Sequence, residues 1–148
     1  METCLTSLCD HFPLTENELK TYSSLSFAYI GDAVFDLVIR TMIVSEGNTG
    51  VNNYHEETVN YVSAGAQTVL MEAVRPLLTS EEKAIYRRGK NAKPSSYAKN
   101  QSSHDYRIAT AFETLVGYLY LSGQTERMME LIRAAIRTVK SNGGEEIS

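Results

Sequence analysis

Ala28-Tyr29-Ile30-Gly31-Asp32-Ala33-Val34-Phe35-Asp36 is the stretch on which the reading of this chain turns. It sits inside a longer run in which Leu25, Phe27, Ile30, Val34, Leu37, Val38 and Ile43 recur at helical spacing. Ser23 or Ser24 offers an N-cap in front of the run, and Gly47 offers a stop behind it. The predicted helix is apolar almost all round, a pattern that suits burial. Asp32 and Asp36 are one turn apart, so their carboxylates share a face. Leu25, Ala28, Phe35 and Ile39 flank that face, and an acid in apolar company is costly unless it is paired or binds a metal. Asp36 has a ready partner in Arg40, four residues on. Asp32 has no basic residue three or four positions away, which leaves a structural and a functional reading both open.

Outward from this run the periodicity stays helical, and no segment alternates convincingly as a strand does. Thr15 and Glu18 form a capping box for a short first helix. Asn52 or Asn53 opens a helix through about Val62, and Ser63 starts the next, which ends near Pro76. Thr79 or Ser80 begins another that fails near Gly89. Residues 91–104 carry Asn, Ser, Lys and Pro without an apolar period and read as a mobile loop. Asp105 caps a helix that stops at Gly123, and Thr125 caps the last one. The expectation is an all-α helical bundle: one domain over residues 1–140, with residues 141–148 as a disordered tail.

The length of 148 residues suits one domain with a substantial core. Cys4 and Cys9 form no disulfide framework, and their spacing is not that of a zinc site. A reduced, cytoplasmic setting is the simpler expectation. No stretch approaches the length of a membrane span, and no secretion signal is present. The net charge of −4 hides an asymmetry. From Lys83 to Arg107 lie half of all the Lys and Arg residues and one acid, Asp105. That segment, at +6, suits a surface that grips a polyanion, while the remainder carries −10. Its Arg87, Arg88, Lys90, Asn91, Lys93, Lys99 and Arg107 are the candidate polyanion-binding residues, a merely solvated charge run being the plainer alternative.

Glu113 lies at the edge of a second apolar stripe, beside Ala109, Thr110 and Gly117. Small residues there let another helix approach closely and leave room for an ion; an exposed rim glutamate is the plainer alternative. Two carboxylates from separate helices, with water completing the shell, suit Mg2+. Such an ion activates water and offsets charge on a phosphodiester.

The Ala28–Asp36 string resembles the signature of the ribonuclease III family, a glycine–aspartate pair in a long apolar helix. Thr110-Ala111-Phe112-Glu113-Thr114-Leu115-Val116-Gly117-Tyr118-Leu119-Tyr120-Leu121 resembles that family's second acidic motif. Arg87-Arg88-Gly89-Lys90-Asn91-Ala92-Lys93, followed by Tyr106-Arg107, is similar to the Mini-ribonuclease III branch, which lacks a double-stranded-RNA-binding domain. The resemblance runs from about Ser24 to Ile136. It implies a dimeric ribonuclease III endonuclease fold that cuts double-stranded RNA with Mg2+, Asp32 and Glu113 being catalytic and metal-binding. It also implies maturation of the large-subunit (23S) ribosomal RNA precursor, with a ribosomal protein as a further possible partner. The chain departs from full-length relatives at Leu25, Ala28 and Thr110, where they carry acids.

Two rivals follow from the residues. His104-Asp105, with His55 upstream, suggests an HD-type phosphohydrolase, but that site needs a later aspartate and none follows Asp105. The missing carboxylates suggest a non-catalytic RNA-binding or ribosome-assembly module on the same fold.

Overall fold

The computed structural model describes residues 4–93 and 103–147, and side chains from 7 to 93 and from 104 to 141. The helices in chain order are α1 (Cys4–His11), α2 (Glu16–Thr21), α3 (Ser24–Glu46), α4 (Val51–Val62), α5 (Ala64–Val74), α6 (Ser80–Lys90), α7 (Ser103–Leu121) and α8 (Thr125–Ile147). A 3-10 turn, Arg75–Leu77, joins α5 to α6. No strand occurs among the described residues, as the periodicity predicts. None of their helices is long and apolar enough to cross a membrane.

Local signals set most of the boundaries. Thr15 and Glu18 make the expected capping box, and Thr79 and Glu82 make another at the start of α6. Ser23 caps α3 by accepting from the Ser26 amide, and Gly47 closes it. Ser63 ends α4 and caps α5. Elsewhere the chain departs from the sequence reading. Helix α1 has no counterpart in it. Helix α4 starts at Val51 behind Gly50, with no side-chain cap from Asn52 or Asn53. Helix α7 starts at Ser103, so Asp105 lies in the first turn and does not cap it. Thr125 is the first residue of α8, and its buried hydroxyl has no hydrogen-bond partner among the described residues. The Gln124 carbonyl accepts the Met128 amide instead. Past Lys140, where the sequence reading begins an unstructured tail, α8 runs on through Ile147. Residues 94–102, the centre of the expected loop, lie outside the described residues.

Helix α7 is the hub. Ile108, Ala111, Phe112, Leu115, Val116 and Leu119 are all buried, and α3, α5, α6 and α8 pack around them. Edge-to-face pairs join α3 to α7: Phe35 with Phe112, centroids 4.9 Å apart, and Phe27 with Tyr118, 5.6 Å apart. Between these pairs the two backbones touch. A β-carbon built on Gly31 would lie 1.8 Å from the Glu113 carbonyl oxygen, and one on Gly117 would lie 1.8 Å from that of Phe27.

Helix α6 is fixed at both ends. Arg127 from α8 forks onto the buried Glu82 carboxylate with two bonds of 2.9 Å and donates a third to the Leu77 carbonyl, also 2.9 Å. Hydrogen bonding from Arg127 holds the Glu82 carboxyl below its ordinary pKa. At the other end Gly89 meets α7: a β-carbon there would lie 2.7 Å from Thr114 Oγ1. Gly89 is therefore a contact residue inside α6, not the breaker that its low helix propensity suggests.

The crossing predicts a sharp contrast between glycines. Gly117→Ala has no space for its methyl group and should lose about 3 kcal/mol or more of stability. Gly65→Ala, in α5 with open space around it, should gain about 0.5–1 kcal/mol. Thermal denaturation followed by circular dichroism measures both. A Gly117→Ala protein that melts with the parent would sink the backbone contact.

Candidate active site and its basic flank

The α3–α7 crossing determines what stands beside it. Asp32 follows Gly31 immediately, and Glu113 supplies the carbonyl that Gly31 meets. Asp32 is exposed and Glu113 is half-buried. Burial first, and the Asp32 charge second, push the Glu113 carboxyl up to about 8. The two acids predicted from separate helices are thus neighbours, and Glu113 is not an exposed rim residue. Asp32 does not lie in apolar surroundings, however. The buried side of α3 takes Ala28, Phe35 and Ile39, and Asp32 stands on the shoulder next to it.

The other carboxylate of the signature is otherwise engaged. Asp36 accepts from Arg40 Nε at 2.9 Å, the i, i+4 pair expected. Ala28 and Thr110 are buried without charge, and Leu25 is exposed. Among the described residues no group of three or more His, Cys, Asp or Glu side chains could hold a metal ion. The Asp32–Glu113 pair therefore offers two hard oxygen ligands. The same finding leaves no HD-type site among those residues: His104 and His55 are both exposed, on different helices.

Charge gathers on the neighbouring face. Arg87, Arg88, Asn91 and Lys93 border a cavity of about 600 Å3 with Ser23, Ser24 and Leu25 at the start of α3. Arg88 donates to the Tyr22 carbonyl at 3.2 Å. Arg107 donates to the Lys90 carbonyl at 3.1 Å and to Asn91 Oδ1 at 3.4 Å, so it also braces the end of α6. Lys99 lies outside the described residues. The start of α3 is eight residues from Asp32, roughly 12 Å of helix rise. The sequence reading missed Gly31 and Gly89 as contact residues. For Gly31 the available signal was a glycine inside a long apolar helix; the charged sequence around Gly89 carried no such signal.

The ribonuclease III domain family matches residues 25–124, which contain the crossing, both acids and the whole basic segment. The chain belongs to the ribonuclease III family. It is 41% identical to a Mini-ribonuclease 3 of Clostridium tetani over 89% of this chain and 88% of that one. Identity to the Mini-ribonuclease 3 of Enterococcus faecalis is 45%, over 82% of this chain and 94% of that one. These relatives place it in the Mini-ribonuclease III branch. A crystal structure of a Fusobacterium nucleatum protein superposes with a TM-score of 0.72 at 28% identity, covering 81% of this chain and 96% of the other. The expected all-α ribonuclease III fold of the single chain and the expected family hold, and the chain is an endoribonuclease, which removes the non-catalytic alternative.

The raised Glu113 carboxyl has a consequence for stability. Below the ordinary carboxylate range both folded and unfolded forms are protonated, and nothing is lost. As pH rises from about 4.5 toward about 8, the unfolded chain releases its proton while folded Glu113 retains it, so stability falls. In the presence of a chelator, Glu113→Gln should therefore stabilise the protein by ~1–3 kcal/mol at pH 8 and hardly at all near pH 4.5. Melting curves of both proteins across that range decide it; equal pH profiles would remove the acid–acid strain.

Proposed function

We propose that this endoribonuclease cuts double-stranded RNA as a homodimer with magnesium, in the cytoplasm, and that it matures the ends of the large-subunit ribosomal RNA precursor. The observation that carries the metal reading is the Asp32–Glu113 pair: two acids forced together at a helix crossing, one of them strained by burial and by the other's charge. Such a donor set fits a hard divalent cation, which would relieve that strain. When bound, the cation supplies activation of water and neutralisation of charge at the phosphodiester.

The chain's own residues supply the rest. Glu113 is a rigid ligand because its backbone is locked against Gly31. Exposed Asp32 leaves the outer side of the site open to substrate. With Leu25, Ala28 and Thr110 in place of acids, Asp32 and Glu113 are the two side chains that would hold the cation, and the remaining ligands would have to come from substrate phosphate and water. Arg87, Arg88, Lys90, Asn91, Lys93, Lys99 and Arg107 are the proposed contacts to the duplex backbone, whose phosphates and 2′-hydroxyls are the accessible groups of A-form RNA. The outward stripe of α3, with Leu25, Tyr29, Leu37 and Val44 all exposed, is the proposed surface for a second copy. The ribosomal-RNA substrate, and a ribosomal protein as a further partner, rest on the Mini-ribonuclease III relatives.

Incubation with a long RNA duplex, with and without Mg2+, tests the reaction. Cleavage should require the metal, and Asp32→Asn and Glu113→Gln should each lower the rate about 100-fold or more while the fold survives. Asp36→Asn should cost no more than about threefold, because its partner is the exposed Arg40. Near-parental cleavage by Asp32→Asn would overturn the site, and an equal loss in Asp36→Asn would overturn the division of roles.

The assembly has its own check. Light scattering at micromolar concentration should report twice the chain mass of 16.5 kDa. A stable species of that single mass would contradict the homodimer.

A further inference from the structure

The corner where the 3-10 turn Arg75–Leu77 meets α6 carries charge that the site described above does not use. A cavity of about 490 Å3 opens there, walled by Pro76, Leu78 and Tyr86 and bordered by Arg75, Lys83 and Arg87. Arg87 borders this cavity and also the one at the start of α3, so the two form a continuous cationic surface around α6.

Lys83 and Arg87 are one turn apart, a like-charge spacing that disfavours the helix. Among the described residues neither has an acidic partner within ion-pair distance. The acids of α6 are turned elsewhere: Glu82 inward onto Arg127, and Glu81 toward the Tyr118 hydroxyl on another flank. The carboxylate beside Arg75 is Glu72, at a loose 3.6 Å. The Arg75 guanidinium lies 5.5 Å over the centre of the Tyr86 ring, which sets its plane at the cavity wall. Beneath it the Tyr86 hydroxyl is buried without a hydrogen-bond partner among the described residues. Two cations without an acidic partner among the described residues, Lys83 and Arg87, and a third, Arg75, only loosely paired, around a concave wall are a receptor for a compact anion, and guanidinium groups match phosphate oxygens two at a time.

We propose that Arg75, Lys83 and Arg87 form a phosphate-binding site for the RNA backbone, separate from the Asp32–Glu113 centre. It extends the duplex-binding surface around α6 onto its other flank. The proposal rests on the RNA-cleaving reading above. The occupant is an RNA phosphate, because the corner continues the face on which the duplex is proposed to lie.

The test is a salt titration of long-duplex RNA binding in an Asp32→Asn background, so that the substrate stays whole. Lys83→Ala is the first variant, since that exposed side chain makes no hydrogen bond among the described residues and its loss leaves the fold alone. It should weaken binding about threefold at low salt, and Arg75→Gln with Lys83→Ala about tenfold, alike for different duplex sequences. The slope of log affinity on log salt should become shallower by about one unit for each lost contact. Arg75→Lys, which keeps the charge, should retain most of the slope. Unchanged affinity and slope in Lys83→Ala and in the double variant, while Arg88→Ala with Lys90→Ala loses binding, would overturn the corner site and leave the RNA reading intact. Failure of the Asp32→Asn protein itself to bind duplex RNA would overturn the RNA reading and the corner site with it. Inorganic phosphate bound by the parent and lost in the double variant, with RNA affinity untouched, would mark a free-anion site and also overturn the proposal.

Discussion

The reciprocal backbone contact between α3 and α7 is the constraint on which the rest of the molecule depends. Gly31 faces the Glu113 carbonyl, and four residues along α7 Gly117 faces the carbonyl of Phe27, itself four residues before Gly31. Each helix presents one glycine and one carbonyl a turn apart, and the two sets interlock. The arrangement leaves space for a hydrogen and no more on either glycine, the kind of close helix–helix approach in which Cα–H groups face carbonyl oxygens. Each glycine costs its helix about 1 kcal/mol relative to alanine. What that cost obtains is precision: the register of α3 on α7 cannot slide by a residue without driving a side chain into a backbone.

The two acids inherit that precision, along with an electrostatic penalty. Asp32 and Glu113 are close because Gly31 and Gly117 are close, and burial of Glu113 first, with the Asp32 charge second, raises its carboxyl and opposes folding above the ordinary carboxylate range. The framework absorbs the strain because it closes on both sides of the crossing. Phe27 with Tyr118 and Phe35 with Phe112 stand one turn to either side of it. Thr114, buried between them, shares its hydroxyl between the carbonyls of Thr110 and Ser24, which ties α7 to the first turn of α3.

The parts of this design written into single segments were legible in the sequence. The bounds of α3, the capping box at Thr15, the start of α6 at Thr79 or Ser80 and the Asp36–Arg40 pair all depend on residues within one turn of each other. The parts that depend on a neighbour were not. Gly89 reads as a helix stop because its propensity is low, and only the presence of Ala111 and Thr114 across the interface makes it a contact. Thr125 reads as a cap because its residue type favours one, yet the chain turns one residue earlier and buries the hydroxyl. For Asp32, the shared face with apolar residues was visible, but the side on which α7 would lie was not. The proximity of Asp32 to Glu113 came from the family resemblance; periodicity alone left both with structural readings.

Helix α6 shows how a fixed core can orient a charged surface. Its inward face carries Glu82, Tyr86 and Gly89, and its outward faces carry Lys83, Arg87, Arg88 and Lys90. The Arg127 fork holds the first turn to α8, the Gly89–Thr114 contact holds the last turn to α7, and Arg107 braces the end beyond it. Rotation of α6 about its axis would break a buried ion pair at one end and collide with a backbone at the other. The cations are therefore carried on a helix whose orientation relative to Asp32 and Glu113 is set before any ligand arrives. Attraction of a polyanion to such a surface needs little ordering of the backbone that bears it, whereas charges on a flexible segment lose part of their attraction to the entropy of ordering that segment. Buried ion pairs are weak sources of stability when compared with an apolar core. The pair of Glu82 and Arg127 has a better claim as an orienting device: its fork geometry admits one rotation of α6, and that rotation turns the cationic faces outward.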